Sequence, residues 1–425
     1  MILALLLAAA APSLSPAEAT MTRTVDAEYE RSVALLKELV DQNSGTLNLP
    51  GVEAVGRTMR RELEALGFTV SWKPMARVKR AGHLIAVHRG APGTKRLLLI
   101  GHLDTVFEAD SPFQRFVRRG DEAEGPGAGD DKGGMVVMLA ALRAMQAAGT
   151  LKAANIEIVL TGDEEDSGDP NAIARADLIA AGKRADAALD FEGLAVEDGR
   201  DMGSIARRSS NGWTLTTTGR TGHSSGIFSA PVGDGAAFEL TRILQRFRQE
   251  LPEPNLTFNV GLLAGGATAA LDKDGVRATA TGKSNIIPAT AVARGDFRTL
   301  SEEQTARVRT RMAAIVAAHA PGTGATIVFE EGYPAMPPTP GNRALLDRLN
   351  AVNRDLALPQ MAALDPLKRG AGDISFVAGD VDGLVGLGPS SRGDHAPGET
   401  VDLASMRRQA KRAAILMTRL SRERR

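Results

Sequence analysis

Apolar residues fall along this chain in two different textures, and the change between them comes near residue 205. Before it, short apolar runs at His83–Val87, Arg96–Ile100 and Ile156–Leu160 have the length of buried strands. A helical stretch from about Ala27 to Phe68, broken near Asn43–Pro50, precedes them. Between the last two runs lies Lys132–Ala148, apolar on several faces and so expected to be a buried helix. Strand, helix, strand with connections of this length predicts a mostly parallel sheet flanked by helices.

After residue 205 the pattern changes to alternation, as in Trp213-Thr-Leu-Thr-Thr-Thr, followed by a helix near Gly235–Gln249 and a strand at Thr257–Leu263. A further strand ends at Arg298, a capping box at Ser301–Gln304 opens a helix reaching about His319, and a strand spans Thr326–Glu331. Strand-helix-strand-strand-helix-strand is the order of a ferredoxin-like α+β sandwich. The proline-rich turn Pro334–Pro340 then returns the chain to helix and strand texture. The expected fold class is therefore α/β with an inserted α+β domain: residues 20–205 and 333–425 form the larger domain and 206–332 the insertion.

Composition changes this picture by exclusion. The 425 residues carry 51 Lys and Arg against 51 Asp and Glu, so the basic excess of a dedicated nucleic-acid binder is missing. With no cysteine, disulfides, thiolate zinc sites and cysteine nucleophiles are all ruled out, and any metal must be held by His and carboxylates. The first residues, MILALLLAAAAPSLSPAEAT, read as a secretory signal over 1–19, with Ala17-Glu18-Ala19 as its cleavage site, although the usual basic start is missing. This predicts a periplasmic or secreted protein without a membrane span.

The chemistry-bearing residues sit where strands are predicted to end. Gly101-His102-Leu103-Asp104 directly follows one strand; alone, it suits a structural histidine as well as a metal ligand held by a neighbouring carboxylate. Gly125-Pro-Gly-Ala-Gly-Asp130-Asp131-Lys132-Gly-Gly fits neither a phosphate loop nor GxGxxG, and its acids could simply cap a helix. Asp163-Glu164-Glu165-Asp166 follows another strand, and four adjacent acids repel unless a cation neutralises them or solvent surrounds them. Asp190-Phe191-Glu192 and Gly393-Asp394-His395 end two further apolar segments. Two His and at least three carboxylates at the ends of one sheet make a hard ligand set for a hydrolytic two-metal centre.

In this order, these motifs resemble the zinc-dependent exopeptidase family that includes glutamate carboxypeptidase, tripeptidase T and succinyl-diaminopimelate desuccinylase, with glutamate carboxypeptidase the subgroup most alike. The resemblance spans about residues 25–420. It implies two zinc ions per subunit, with cobalt or manganese able to use the same ligands. One zinc would be held by His102 and Glu192, the other by Glu165 and His395, with Asp130 bridging. Asp104 would orient His102, and Glu164 would be the general base. The resemblance also implies a cis peptide at Asp130-Asp131. In the insertion, Gly222-His223-Ser224 resembles the histidine that polarises the scissile carbonyl in a neighbouring subunit, which implies a homodimer through the inserted domain. Lys283-Ser284-Asn285 and Asp296-Phe297-Arg298 resemble segments gripping the substrate's terminal carboxylate. Ala371 and Gly372, in Arg369-Gly-Ala-Gly-Asp373, stand where the subgroup has a triple-glycine substrate loop.

The implied activity is removal of a C-terminal acidic residue from a peptide or N-acyl amino acid, with an aminoacylase or dipeptidase as the alternative within the family. Arg207, Arg208, Arg220, Lys283, Arg298, Lys368 and Arg369 are expected to line the cleft and favour acidic substrates. Two rivals remain. Gly222-His-Ser224-Ser-Gly matches a serine nucleophile elbow, with Asp373 and His395 following in the order of an α/β-hydrolase. A binding protein with a dead centre would have lost ligands or base, and all of them are present.

Overall fold

The computed structural model describes residues 14–425, so most of the expected leader, residues 1–13, lies outside the described residues. The chain divides into two compact units. The larger comprises residues up to Ala206, Pro338–Asp365 and Gly372–Arg425; the smaller comprises Arg207–Pro337 and Pro366–Ala371.

The larger unit is built on a six-stranded sheet in the order Thr69–Pro74, Gly82–His88, Asn155–Thr161, Arg96–His102, Ala187–Asp190, Gly383–Leu384. The last four run parallel, while Gly82–His88 is antiparallel to both of its neighbours. Parallel strands covered on both faces read as unbroken apolar runs, and Leu97, Leu98 and Leu99 are fully buried accordingly. Helix Lys132–Ala147 is buried all round because Leu403–Leu420, Pro16–Ala27 and Tyr29–Val40 pack over it. The expected helical stretch at the N-terminus is three helices, Pro16–Ala27, Tyr29–Val40 and Leu49–Ala65. The first begins inside the expected leader: Ser15 and Glu18 form its capping box, and Glu18 pairs with Arg419 at 2.8 Å. A cut after Ala19 would remove that first turn. Among the described residues no helix is long and apolar enough to cross a membrane.

A second, four-stranded sheet in the larger unit orders Ser391–Arg392, Thr400–Asp402, Glu122–Glu124 and Val117–Arg119. Its pairing Thr400↔Glu124 lays the turn 393–399 beside the glycine-rich turn 125–130.

The smaller unit has an antiparallel sheet ordered Thr257–Gly266, Thr290–Arg298, Ser210–Gly219, Thr323–Tyr333, the ferredoxin-like arrangement. Alternate residues of Ser210–Gly219 are buried, and Trp213 meets Phe247 of helix Gly235–Glu250 edge-on at 5.9 Å. Helix Glu302–Ala317 adds Val308, Met312 and Ile315 to the same core, opened as expected by Ser301 accepting the Gln304 N–H. An extra hairpin, Thr268–Leu271 with Ala278–Thr281, was not expected from the sequence. Pro366–Ala371, placed with the larger domain by sequence, groups here because Arg207 donates to the Gly370 carbonyl (2.8 Å) and Arg208 to that of Leu367 (3.0 Å).

Candidate metal centre

Parallel strands deliver their carboxyl ends to one edge of the sheet, the usual ligand-binding edge of such folds. His102 is the last residue of strand Arg96–His102 and is 1% exposed. Its Nδ1 lies 3.4 Å from an Asp104 carboxylate oxygen and its Nε2 2.9 Å from Asp130 Oδ1. Asp104 is itself fixed, accepting from Thr46 Oγ1 (2.6 Å) and from the amides of Glu164 (3.0 Å) and Glu165 (3.1 Å). Asp104 thus orients the imidazole, its backbone carbonyl 3.1 Å from Nδ1 and its carboxylate close by, while the carboxylate anchors the acidic loop. Burial opposes charge on His102, but the bonds to Asp104 and Asp130 outweigh it and raise its proton affinity well above the ordinary histidine range.

Asp130 ends the glycine-rich turn, and the peptide joining it to Asp131 is cis. Asp131 stands at the helix N-cap, yet its side chain makes no capping bond. One of its oxygens accepts the His102 N–H at 3.2 Å; the other is buried without a partner. Burial pushes the Asp131 carboxyl well up. The helix start packs tightly on the strand end: a Cβ at Gly134 would lie 2.0 Å from the Phe191 carbonyl oxygen, so only glycine fits there.

Glu165 follows strand Asn155–Thr161, and His395 comes from the turn after Ser391–Arg392. His395 Nε2 is 3.2 Å from both Glu165 Oε2 and Asp130 Oδ2, and its backbone is held at φ 66°, a conformation side chains other than glycine rarely adopt. Burial, then the neighbouring Asp130, drives the Glu165 carboxyl up to about 8; the bond to Asp130 lifts His395 to about 9. Glu164, partly buried, is raised well above the carboxylate range by burial and then by Glu192. Glu192, 8% exposed, follows strand Ala187–Asp190.

Ligand atoms of His102, Asp130 and Glu165 lie within 4.8 Å of one another. Among the described residues, the only basic side chains against Asp130 and Glu165 are the two histidines. Buried carboxylates crowded in this way, with an orphaned Asp131 oxygen beside them, fit a site whose missing partner is a cation.

The remaining candidates fall elsewhere. His223, Asn285, Arg298 and Ala371 belong to the smaller unit and Gly372 to the larger. His223 and Asn285 are held side by side, since the Ser224 amide donates to the Asn285 carbonyl at 2.9 Å and His223 bridges to Ile286. Arg298 ends its strand with Nε 3.4 Å from Asp296. The serine-elbow reading loses its geometry: Ser224 lies in a short 3-10 turn, not between a strand and a helix. Its proposed partners are engaged otherwise, Asp373 by Arg175 and Thr161, and His395 by Asp130 and Glu165. The expected free basic cluster is also reduced. Arg207, Arg208 and Arg220 donate to the carbonyls of Gly370, Leu367 and Pro231, which loops without ladder partners must satisfy.

Three residues near the centre were not singled out by sequence reasoning. Lys132, fully buried, donates to the Gln42 carbonyl at 2.9 Å, and burial lowers its ammonium to about 7. Its place beside Asp130-Asp131 was the available signal. Arg175, also fully buried, binds Asp163 Oδ1 (2.6 Å) and Asp373 Oδ1 (2.7 Å). Glu399 accepts three backbone amides of the turn that carries Asp130. Neither sits in a motif.

Residues 98–419 match the model of Peptidase family M20/M25/M40. Carboxypeptidase G2 of Pseudomonas sp. (strain RS-16) is 28% identical over 337 residues, 77% of this chain and 74% of that protein. Succinyl-diaminopimelate desuccinylase of Variovorax paradoxus (strain S110) is 27% identical over 391 residues, 88% of this chain and 94% of that one. Among solved structures, a dinuclear metal-binding M20 peptidase of Bacillus subtilis superposes with a TM-score of 0.64 at 15% identity, covering 92% of this chain and 98% of its own.

Proposed function

From the premise that this chain belongs to peptidase family M20/M25/M40 and is a hydrolase of it, we propose that it is a di-zinc carboxypeptidase releasing a C-terminal acidic residue from peptides or N-acyl amino acids. One observation carries the metal reading: His102, Asp130, Glu165 and His395 converge from four separate segments of the chain, and among the described residues no Lys or Arg pairs with Asp130 or Glu165. Asp130 sits between the two histidines, as a bridging ligand must, and Glu192, which the motif order assigns to the ion of His102, would complete the set. The ions would acidify a water molecule and polarise the scissile carbonyl.

The side chains do the rest. Asp104 fixes the ring of His102 and, through the amides of Glu164 and Glu165, the loop bearing the base. Glu164, whose burial and acidic neighbours raise its proton affinity, would act as its ionised carboxylate, taking the proton of the attacking water and returning it to the leaving amine. The roles of His223 on the carbonyl oxygen, of Asn285 and Arg298 on the terminal carboxylate, and of Ala371 and Gly372 beside it rest on the motifs. Preference for Glu or Asp rests on the basic residues that remain, Lys283 and Arg298 among them. A homodimer through the smaller unit is supported by its sheet edge strands and the exposed Val260, Leu263 and Val328. Export to the periplasm or medium is part of the same proposal; fractionation with N-terminal sequencing tests it, and a cut ahead of Ser15 would keep the first helix whole.

The deciding experiment is hydrolysis of a panel of dipeptides and N-acyl amino acids, with and without chelator and added zinc. Chelator-sensitive release of Glu or Asp is expected. Chelator-sensitive release of apolar or basic residues would discard the acidic specificity, and turnover indifferent to chelation would discard the metal reading.

A further inference from the structure

Glu399 is buried to 1% exposure on the turn that presents His395, four residues downstream of it. Its carboxylate accepts the backbone N–H groups of Gly127 (3.1 Å), Gly129 (2.7 Å) and Asp130 (3.1 Å), and its own carbonyl accepts that of Gly125 (3.1 Å). The glycine-rich turn is therefore wrapped around this one side chain. The His395 turn is closed on itself at the same place, with Ala396 donating to Gly393 (3.0 Å) and Glu399 donating to Ala396 (3.1 Å). Asp130 and His395 come from segments far apart in sequence, yet each is tied by short backbone connections to Glu399.

We propose that Glu399 is a positioning residue that sets the separation of Asp130 from His395 and so pre-organises the cation site. It touches neither metal nor substrate in this role, which rests on the metal reading above. The chemistry of the contact supports it. Three convergent N–H groups form a cradle for an anion, and a carboxylate fills it with acceptors only. A glutamine in the same place must turn its NH₂ toward at least one of those amides, which loosens the turn at Asp130 itself. Groups that orient metal ligands in this indirect way typically change affinity by about 10–100-fold when altered.

The test uses the full chain, stripped of metal and titrated with cobalt or zinc against a chromophoric chelator, reading the dissociation constant and the visible cobalt spectrum. Glu399→Gln is expected to bind about 10–100-fold more weakly and with a shifted cobalt spectrum, while the far-ultraviolet circular dichroism stays that of the wild type. At saturating metal its kcat should fall with little change in KM, since the substrate contacts are intact. If the glutamine variant does not fold, Glu399→Asp, which keeps the charge but withdraws it by one methylene, should show the same change in smaller measure. Wild-type affinity and spectrum in the folded variant would overturn the inference and leave the metal reading standing. Absence of cobalt or zinc binding by the wild type would overturn both.

Discussion

Two buried acid clusters lie side by side in the larger unit, and they are neutralised in opposite ways. Asp163 and Asp373 flank the guanidinium of Arg175, which binds the first at 2.6 Å and the second at 2.7 Å and also takes the Asp163 carbonyl at 3.0 Å. One residue on from Asp163 begins the second cluster, in which Asp130 and Glu165 have histidines as their basic neighbours and Glu164 is crowded by Glu192, Asp373 and Glu165. The first cluster is electrostatically closed by its own chain, so it has a structural role. The second, open toward a cation on the metal reading proposed above, holds Glu164 and Glu165 at raised proton affinities through burial and neighbouring acids, while the bonds to His102 and His395 hold the Asp130 carboxyl well below the carboxylate range despite its burial. Acid density alone does not mark a functional site; whether the fold supplies the counter-charge does.

The largest effect should come from the open cluster. Glu164→Ala is expected to lower kcat by about 10²–10⁴-fold, the usual contribution of a general base, while bound metal per subunit, read by atomic absorption, stays unchanged. An active variant would remove the base and with it the functional half of the contrast. In the closed cluster the consequence is stability. Arg175→Met strands two buried carboxylates and should cost about 3–5 kcal/mol in urea unfolding, whether or not metal is present. A loss that zinc repairs would mean that this cluster, too, is a cation site.

The two clusters should also differ in their response to pH once metal is removed. Glu165, raised to about 8 in the folded chain, and His395, raised to about 9, both hold protons that the unfolded chain gives up earlier. Each contributes stability at low pH that is lost as pH rises through its folded value. The chelated protein should therefore melt at progressively lower temperature from about pH 5 to about pH 9. Metal requires the same groups deprotonated, so zinc should stabilise more as pH rises. Calorimetry across that range, with and without zinc, checks the crossing trends; parallel curves would sink the assignment of these two residues to the ion.

Much of the open cluster was legible because each of its residues ends an apolar run or sits in a glycine or acid tract. His102, Asp130, Glu165 and His395 were all named from such positions, and the cis peptide at Asp130-Asp131 followed from the resemblance. The closed cluster was invisible for a physical reason. Arg175 sits in Ala-Ile-Ala-Arg-Ala-Asp-Leu, an ordinary helical stretch, and its partners are 12 and 198 residues away. Glu399, in Pro-Gly-Glu-Thr, reads as a turn residue until Thr400 pairs with Glu124 and brings the amides of 127–130 to it. The hairpin Thr268–Leu271 with Ala278–Thr281 was missed because alanine and threonine give no apolar alternation. The arginines at 207, 208 and 220 were read as surface charge, whereas loop carbonyls require donors that only the folded chain reveals.

The smallest effects sharpen the contrast most cleanly, because one identical change can be made in each cluster. Thr161 donates its hydroxyl to Asp373 in the closed cluster, and Thr46 donates its own to Asp104 beside the open one. Valine replaces threonine with the same shape and no donor, so each substitution removes one hydrogen bond to a buried carboxylate, worth about 1.5–3 kcal/mol. Thermal melts should register both losses at similar size. Turnover should separate them. Asp373 keeps Arg175, and Thr161→Val should leave kcat within about twofold, below the roughly 0.4 kcal/mol that such a ratio represents. Asp104 holds the ring of His102 and the amides of Glu164 and Glu165, so Thr46→Val should lower kcat several-fold at saturating zinc. Equal turnover in the two variants would mean that Asp104 is as purely structural as Asp373, and that the ring of His102 is positioned by its strand alone.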